Sequence, residues 1–261
     1  MNRQLIDETP CYRFERLQGN GAPAGDLELA TELSTTFVHK GRALLSVDSK
    51  SGARDIEVQE GQGFIVVPGV SYRVTGDEGM VAYTVSSGVS PGKPIVEIID
   101  DGKGRREVEL LDYRIVESPK RVDKPWGHEL WVSWFRDYHV LKQIGMNRGN
   151  QSSLQFHRKK LETNCLESGE ATVIEGYKLN PSASEDEVQA SSRGVDFDKF
   201  KKTMEPGDHW TSEPGTVHRV IAKTNYLAYE VSTSQLDDVI RIQDDTGRTS
   251  GRIASEHGGG N

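Results

Sequence analysis

The sequence predicts an all-β chain built twice from one pattern, and three observations predict it. Glycine is abundant, with 27 residues, while aromatics make up only 7%, the balance of a chain with many turns. Long helical periodicities are scarce. One block also recurs: GQGFIVVPGVSYRVTGDEGMVAYTVS (61–86) and GDHWTSEPGTVHRVIAKTNYLAYEVS (207–232) match without a gap at an offset of about 146, sharing Gly, Pro-Gly, Arg-Val, Ala-Tyr and Val-Ser.

The elements follow from local pattern. FVHKGRALLSVD reads as strand, glycine turn, strand, and CLESGEATVIEG repeats it, with Gly41-Arg-Ala43 standing over Gly169-Glu-Ala171. Alternation in Ala43–Val47 and Met80–Val85 marks strands with one buried face. Each copy then holds a Gly…Pro-Gly turn and two more strands. Residues 91–125 link the copies: PGKPIVEIID is a strand, DDGKGRRE a charged turn, and VELLDYRIVESPKRVDKPWG leads into the second half. Residues 184–203 hold a turn or two of helix in an excursion between strands. The organisation expected is therefore a first domain over 1–110, a second over 111–250, and a disordered tail over 251–261.

Composition excludes several classes of partner. The formal charge is −8 with no basic stripe, which argues against nucleic acid. No stretch has the length and apolarity of a membrane span, and the first residues lack a signal-peptide core, so a cytoplasmic location is expected. Cys11 and Cys165 do not form a disulfide framework, and Cys165 reads as a buried thiol.

The chemistry concentrates in Gln155-Phe-His157-Arg-Lys-Lys-Leu-Glu162 and the later Pro214-Gly-Thr-Val-His218. Gln155 and His157 are two apart, so a strand points both to one face. Glu162 opens the next strand, and His218 follows a tight turn on another. A small barrel gathers all four side chains in its lumen, where two imidazoles, a carboxylate and a carboxamide bind one divalent metal. Zinc comes first, with manganese, iron, cobalt and nickel open to the same donors. The first copy sets Leu27 and Leu29 against Gln155 and His157, Ser34 against Glu162, and Tyr72 against His218. It is expected to keep the fold, hold no metal, and pack on the second domain or dimerise.

The glycine-bounded His…Glu motif and the Pro-Gly-x-x-His motif resemble the two signatures of the cupin superfamily, and two copies make a bicupin of tandem double-stranded β-helix (jelly-roll) barrels. KPWGHELWV (124–132), SLQFH (153–157) and DDVIRIQDDTGR (237–248) are similar to the C-terminal domain of type II mannose-6-phosphate isomerases, over residues 122–248. That resemblance implies Gln155, His157, Glu162 and His218 as metal ligands, and a sugar phosphate as the small-molecule substrate. Arg158-Lys159-Lys160 stand where that family has a histidine-rich run, and Asn164 where it has an aromatic. An aldose–ketose isomerase needs groups that move a proton between adjacent carbons. Lys142, Glu230 and Arg241 are the candidates, and Arg158, Lys159, Lys160 and Arg248 are candidates for holding phosphate. Arg219 has a counterpart in Arg73, which points to a structural role for both. Trp126 and Trp131 pack in the core or rim, or stack on a sugar ring. Two other functions use the same scaffold: a metal-dependent oxygenase and a non-catalytic carbohydrate-binding bicupin.

Overall fold

The computed structural model describes residues 1–22, 25–100 and 104–253. The tail expected over 251–261 therefore lies, from 254 onward, outside the described residues, as does the tip of the DDGKGRRE turn. The first half runs β1 (Asn2–Glu8), β2 (Arg13–Gln18), β3 (Glu28–Leu29), β4 (Leu33–Lys40), β5 (Arg42–Ser49), β6 (Gly52–Gln59), β7 (Gly63–Val66), β8 (Ser71–Gly76), β9 (Val81–Ser87), β10 (Val96–Asp100), β11 (Arg105–Glu109) and β12 (Arg114–Val116). The second runs β13 (Lys120–Lys124), β14 (Gly127–Trp134), β15 (His139–Met146), β16 (Leu154–His157), β17 (Glu162–Ser168), β18 (Ala171–Lys178), α1 (Glu185–Ser192), a 3-10 turn (Phe197–Phe200), β19 (Lys201–Met204), β20 (His209–Ser212), β21 (Thr216–Ala222), β22 (Tyr226–Thr233) and β23 (Val239–Gln243).

Each half has two main sheets, and in the first half β10 and β11 pair as a separate two-stranded sheet. In the first half the orders are β1-β2-β9-β4-β7-β12 and β3-β8-β5-β6. In the second they are β13-β14-β15-β22-β17-β20 and β19-β18-β21-β16-β23. The chain divides into two compact units. One takes the chain up to Lys120 together with Trp131–Leu141, and the other takes Arg121–Leu130 and the chain from Lys142.

The repeat extends to strand pairing. Ser34 faces Ser86 and Val66 on its two neighbours, and Glu162 faces Ser232 and Ser212. The ladder corrects one correspondence drawn from sequence. Tyr72 pairs with Glu28, and His218 pairs with Gln155. Gly69 N donates to Ala30 O as Gly215 N donates to His157 O. Glu28 and Ala30, rather than Leu27 and Leu29, therefore stand where Gln155 and His157 stand. The connection from this strand to the next is one residue shorter in the first half, which displaced the alignment by one position; with a side-chain period of two, that slip exchanges the faces. Leu27 and Leu29 are both exposed.

The first unit has an apolar cluster containing Leu33, Leu45, Phe64, Ile65 and Met80, all essentially inaccessible. The second has two. Leu166, Val173, Trp210 and Ala228 pack together with Trp126, so Trp126 is a core residue. Leu154, Phe156, Val217 and Ile240 form the other, covered by Val188 of α1 and Phe197 of the 3-10 turn. The excursion after β18 is thus a packed cover on the outside of the strands that carry His157 and His218. Its helix starts with a capping box in which Ser184 and Glu187 satisfy each other's backbone amides. Burying a side chain the size of Phe156 contributes roughly 1.5–3 kcal/mol, and it fixes the alternation that turns Gln155 and His157 the other way.

Candidate metal centre

β16 reads Leu-Gln-Phe-His. Leu154 and Phe156 enter the outer cluster, so Gln155 and His157 project from the opposite face. Glu162 is the first residue of β17. His218 lies on β21 directly across from Gln155. It is brought there by the Pro214-Gly215 turn, where Gly215 has φ +80° and an added Cβ would lie 2.4 Å from Leu179 O. Only glycine fits both demands.

His157, Glu162 and His218 converge so that one donor atom of each lies within 4.8 Å of the others. All three are buried. The imidazole rings stack, with centroids 5.5 Å apart. His218 Nε2 is 3.2 Å from Glu162 Oε1, and His157 Nε2 is 3.6 Å from Glu162 Oε2. Gln155 Nε2 is 3.4 Å from His218 Nε2, and rotating the carboxamide turns its oxygen to the same point.

The far nitrogens fix the tautomers. His218 Nδ1 donates to Thr216 O at 3.0 Å. His157 Nδ1 donates to Asp238 Oδ1 at 2.7 Å. Both Nε2 atoms therefore carry lone pairs directed at Glu162. His157 Nε2 is buried with no hydrogen-bond partner among the described residues. An orphaned buried acceptor of this kind costs about 1–3 kcal/mol, and a divalent cation would satisfy it. Burial, and then the Lys160 charge, depress the His157 pKa against the pull of Asp238, which keeps the ring neutral, as a metal ligand must be. The residues fit a metal.

Asp238 was not singled out in the sequence. Its Oδ2 also accepts Lys159 N at 2.6 Å and Lys160 N at 2.9 Å, so one carboxylate sets both the His157 ring and the turn leading to Glu162. Burial works against its charge, but the His157 bond and these amides hold its pKa below the usual carboxylate range. The only sequence signal was its place in DDVIRIQDDTGR.

The candidate catalytic and substrate residues divide by environment. Lys160 is buried, and its ammonium bridges Glu162 Oε2 at 2.5 Å and Glu230 Oε1 at 2.7 Å. Desolvation opposes that charge, but the two carboxylates raise its pKa. Burial likewise works against the Glu162 charge, yet the Lys160 ammonium beside it holds the carboxyl far below its ordinary value. Lys142 is buried 3.5 Å from Glu129 and 3.7 Å from Glu230. Glu230 thus sits between two lysines in the lumen. Arg158 donates to Pro181 O and Ala183 O, tying down the cover. Lys159 is exposed. Arg241 bonds Ser153 Oγ and the carbonyls of Thr249 and Gly251, and Arg248 is paired with Asp244. Arg219 donates to Gln243 O, and Arg73 to Gly25 O and Ser46. The geometry therefore brings Lys142, Lys160 and Glu230 to the ligand cluster and gives Arg158, Arg241 and Arg248 local structural partners.

No family model matches the chain, and no curated protein matches it. Solved structures do. An oxalate decarboxylase–formate complex from Lactobacillus farciminis has a TM-score of 0.60 at 11% identity, covering 92% of this chain and 82% of the other. Streptomyces albus HEPD, with 2-hydroxyethylphosphonate and Fe(II) bound, has a TM-score of 0.62 at 10% identity, covering 88% and 70%. Vicilin from Solanum lycopersicum has a TM-score of 0.56 at 10% identity, covering 86% and 75%. No helix among the described residues is long and apolar enough to cross a membrane. At these identities the likeness is one of fold, and the fold is the bicupin: an all-β chain of two cupin barrels in tandem.

Proposed function

We propose that the second barrel binds one divalent metal through His157, Glu162, His218 and Gln155, and that the chain is a metal-dependent enzyme of aldose–ketose isomerase type acting on a sugar phosphate. The observation that carries the metal is the buried, unpartnered Nε2 of His157 facing a carboxylate and a second oriented imidazole. When bound, a divalent ion supplies Lewis acidity to adjacent carbonyl and hydroxyl oxygens.

The chain's own groups supply the rest. Glu230 is the base best placed to take a proton from carbon, since one ammonium links it to the metal ligand Glu162. Lys160 and Lys142 hold its carboxylate between them. Lys142, itself paired with Glu129, is the donor to the oxygen that gains a proton as the enediol forms. The sugar-phosphate assignment rests on the resemblance of residues 122–248. Exposed Lys159 is the phosphate contact whose side chain is least committed elsewhere.

A second reading, a metal-dependent oxygenase, is favoured by one observation: the HEPD structure was solved with Fe(II) bound. Two measurements separate the readings. Purified protein is expected to carry one divalent metal per chain; a metal-free wild type, prepared without chelator, sinks both. Deuterium exchange at C2 of mannose 6-phosphate or fructose 6-phosphate supports the isomerase. Oxygen uptake by the Fe(II) form without such exchange moves the assignment to the oxygenase.

A further inference from the structure

The first barrel has lost the ligand set but not its lumen. Its counterparts of Gln155, His157, Glu162 and His218 are Glu28, Ala30, Ser34 and Tyr72, a set with no imidazole. A cavity of about 320 Å³ opens there, lined by Glu28, Ala30, Ser34 and Tyr72 among others. Ala and Ser in place of His and Glu create part of that volume. A barrel kept only as scaffold would be expected to fill it with apolar side chains to interior density.

The walls are polar in two rows across one sheet. Arg13, Ser86 and Ser34 are register partners in one row, and Glu15, Thr84 and Thr36 in the next. Glu15, Thr36 and Thr84 are more than nine-tenths buried. Thr36 donates to Thr84 Oγ1 at 2.9 Å, and Thr84 Oγ1 in turn donates to Thr35 O at 3.2 Å. The charges at the wall close on each other: Arg3 is 3.2 Å and Arg13 3.3 Å from the two oxygens of Glu15. Glu28 and Glu32 stand exposed among the lining residues. Three carboxylates against two guanidiniums disfavour an anion. Among the described residues the cluster suited to a metal lies in the other barrel. A neutral ligand whose groups both donate and accept matches a wall of hydroxyls between guanidiniums and carboxylates. The volume is that of a small-ligand pocket.

We infer that the lumen of the first barrel is a second binding site, for a neutral polyhydroxylated ligand of monosaccharide size. It is independent of the metal and of the catalytic reading.

The test uses the full chain carrying His157→Ala and His218→Ala, so that the second barrel holds no metal. D-mannose, D-fructose, D-galactose and myo-inositol are titrated by calorimetry and by saturation-transfer NMR, with inorganic phosphate in parallel. At least one neutral polyol is expected to bind with millimolar or tighter affinity. Thr84→Val should weaken it roughly tenfold by removing one buried hydrogen-bonding group. Glu28→Gln, an exposed change that does not endanger folding, should weaken it severalfold. The inference is overturned if no neutral polyol binds. Binding unaffected by both variants overturns it too, as does inorganic phosphate binding in preference to every polyol. Isomerase activity in the wild type does not enter the result, so the two readings fail separately.

Discussion

The two barrels differ least in their ladders and most in what the ladders point inward. In the row that carries Glu162, the second barrel has Ser212, Glu162 and Ser232, and the first has Val66, Ser34 and Ser86. One row on, Asn164 and Glu230 stand against Thr36 and Thr84. The buried charge also changes sign: a lysine, Lys142, sits between Glu129 and Glu230 in one barrel, and a glutamate, Glu15, sits between Arg3 and Arg13 in the other. The scaffold tolerates either interior. The imidazoles, carboxylates and lysines of the second barrel are therefore not required by the ladder itself.

Variants can break or sharpen this contrast. The largest effect is expected from His157→Ala with His218→Ala, which should take metal content from one per chain to none and leave the circular dichroism of the β-structure unchanged. Retention of stoichiometric metal would refute the ligand assignment. Next is Lys160→Met. It leaves Glu162 and Glu230 buried without their shared cation, and loss of one partner of a buried pair costs about 3–5 kcal/mol. Chemical denaturation of the metal-free protein should show that loss, and added divalent metal should recover more stability in the variant than in wild type. A variant as stable as wild type would mean the bridge is not formed.

Asp238→Asn removes the anion that orients His157 and should lower metal affinity by about 10–100-fold, read by competition with a chelating dye. An unchanged affinity would leave Asp238 as a turn residue only. The first barrel has its own signature in acid. His139, bonded to Thr35 and Ser87, is fully buried, and burial depresses its pKa from 6.5 to about 3. The folded ring stays neutral while the unfolded chain takes up a proton below pH 6.5. Stability is thus complete above that pH and falls by about 1.4 kcal/mol per unit as pH drops towards 3. His139→Gln should flatten the slope in urea melts taken between pH 6.5 and 4; a parallel slope would rule the histidine out as its source. The smallest effect is expected from Ser184→Ala, which removes the cap of α1 and should cost about 1 kcal/mol, confined to amide exchange in 180–200.

The fold was legible because repetition reports on itself: two segments with the same turns and alternation need the same ladder. The ligand cluster was legible because spacing on strands determines facing. What escaped was anything set by a neighbour distant in the chain. Arg158, Lys159 and Lys160 are one basic run, yet they end as a tie to the cover, an exposed side chain and a buried bridge, because only the turn's path decides which carbonyl or carboxylate each meets. Asp238 is 81 residues from the histidine it orients, and no local pattern connects them. The slip from Glu28 and Ala30 to Leu27 and Leu29 came from one residue missing in a connection, which nothing in the strand itself discloses.

The Asp238 clamp also bears on how the site is assembled in time. His157, Glu162 and, later, His218 leave the ribosome before the carboxylate that holds His157 and the turn in place, and before β23, which pairs with β16 along Leu154–His157. Until then the His157 ring lacks the carboxylate that Nδ1 donates to, and the turn to Glu162 is held by Thr233 but not yet by Asp238. The geometry of the ligand cluster is thereby completed only when the last strand, β23, docks on β16.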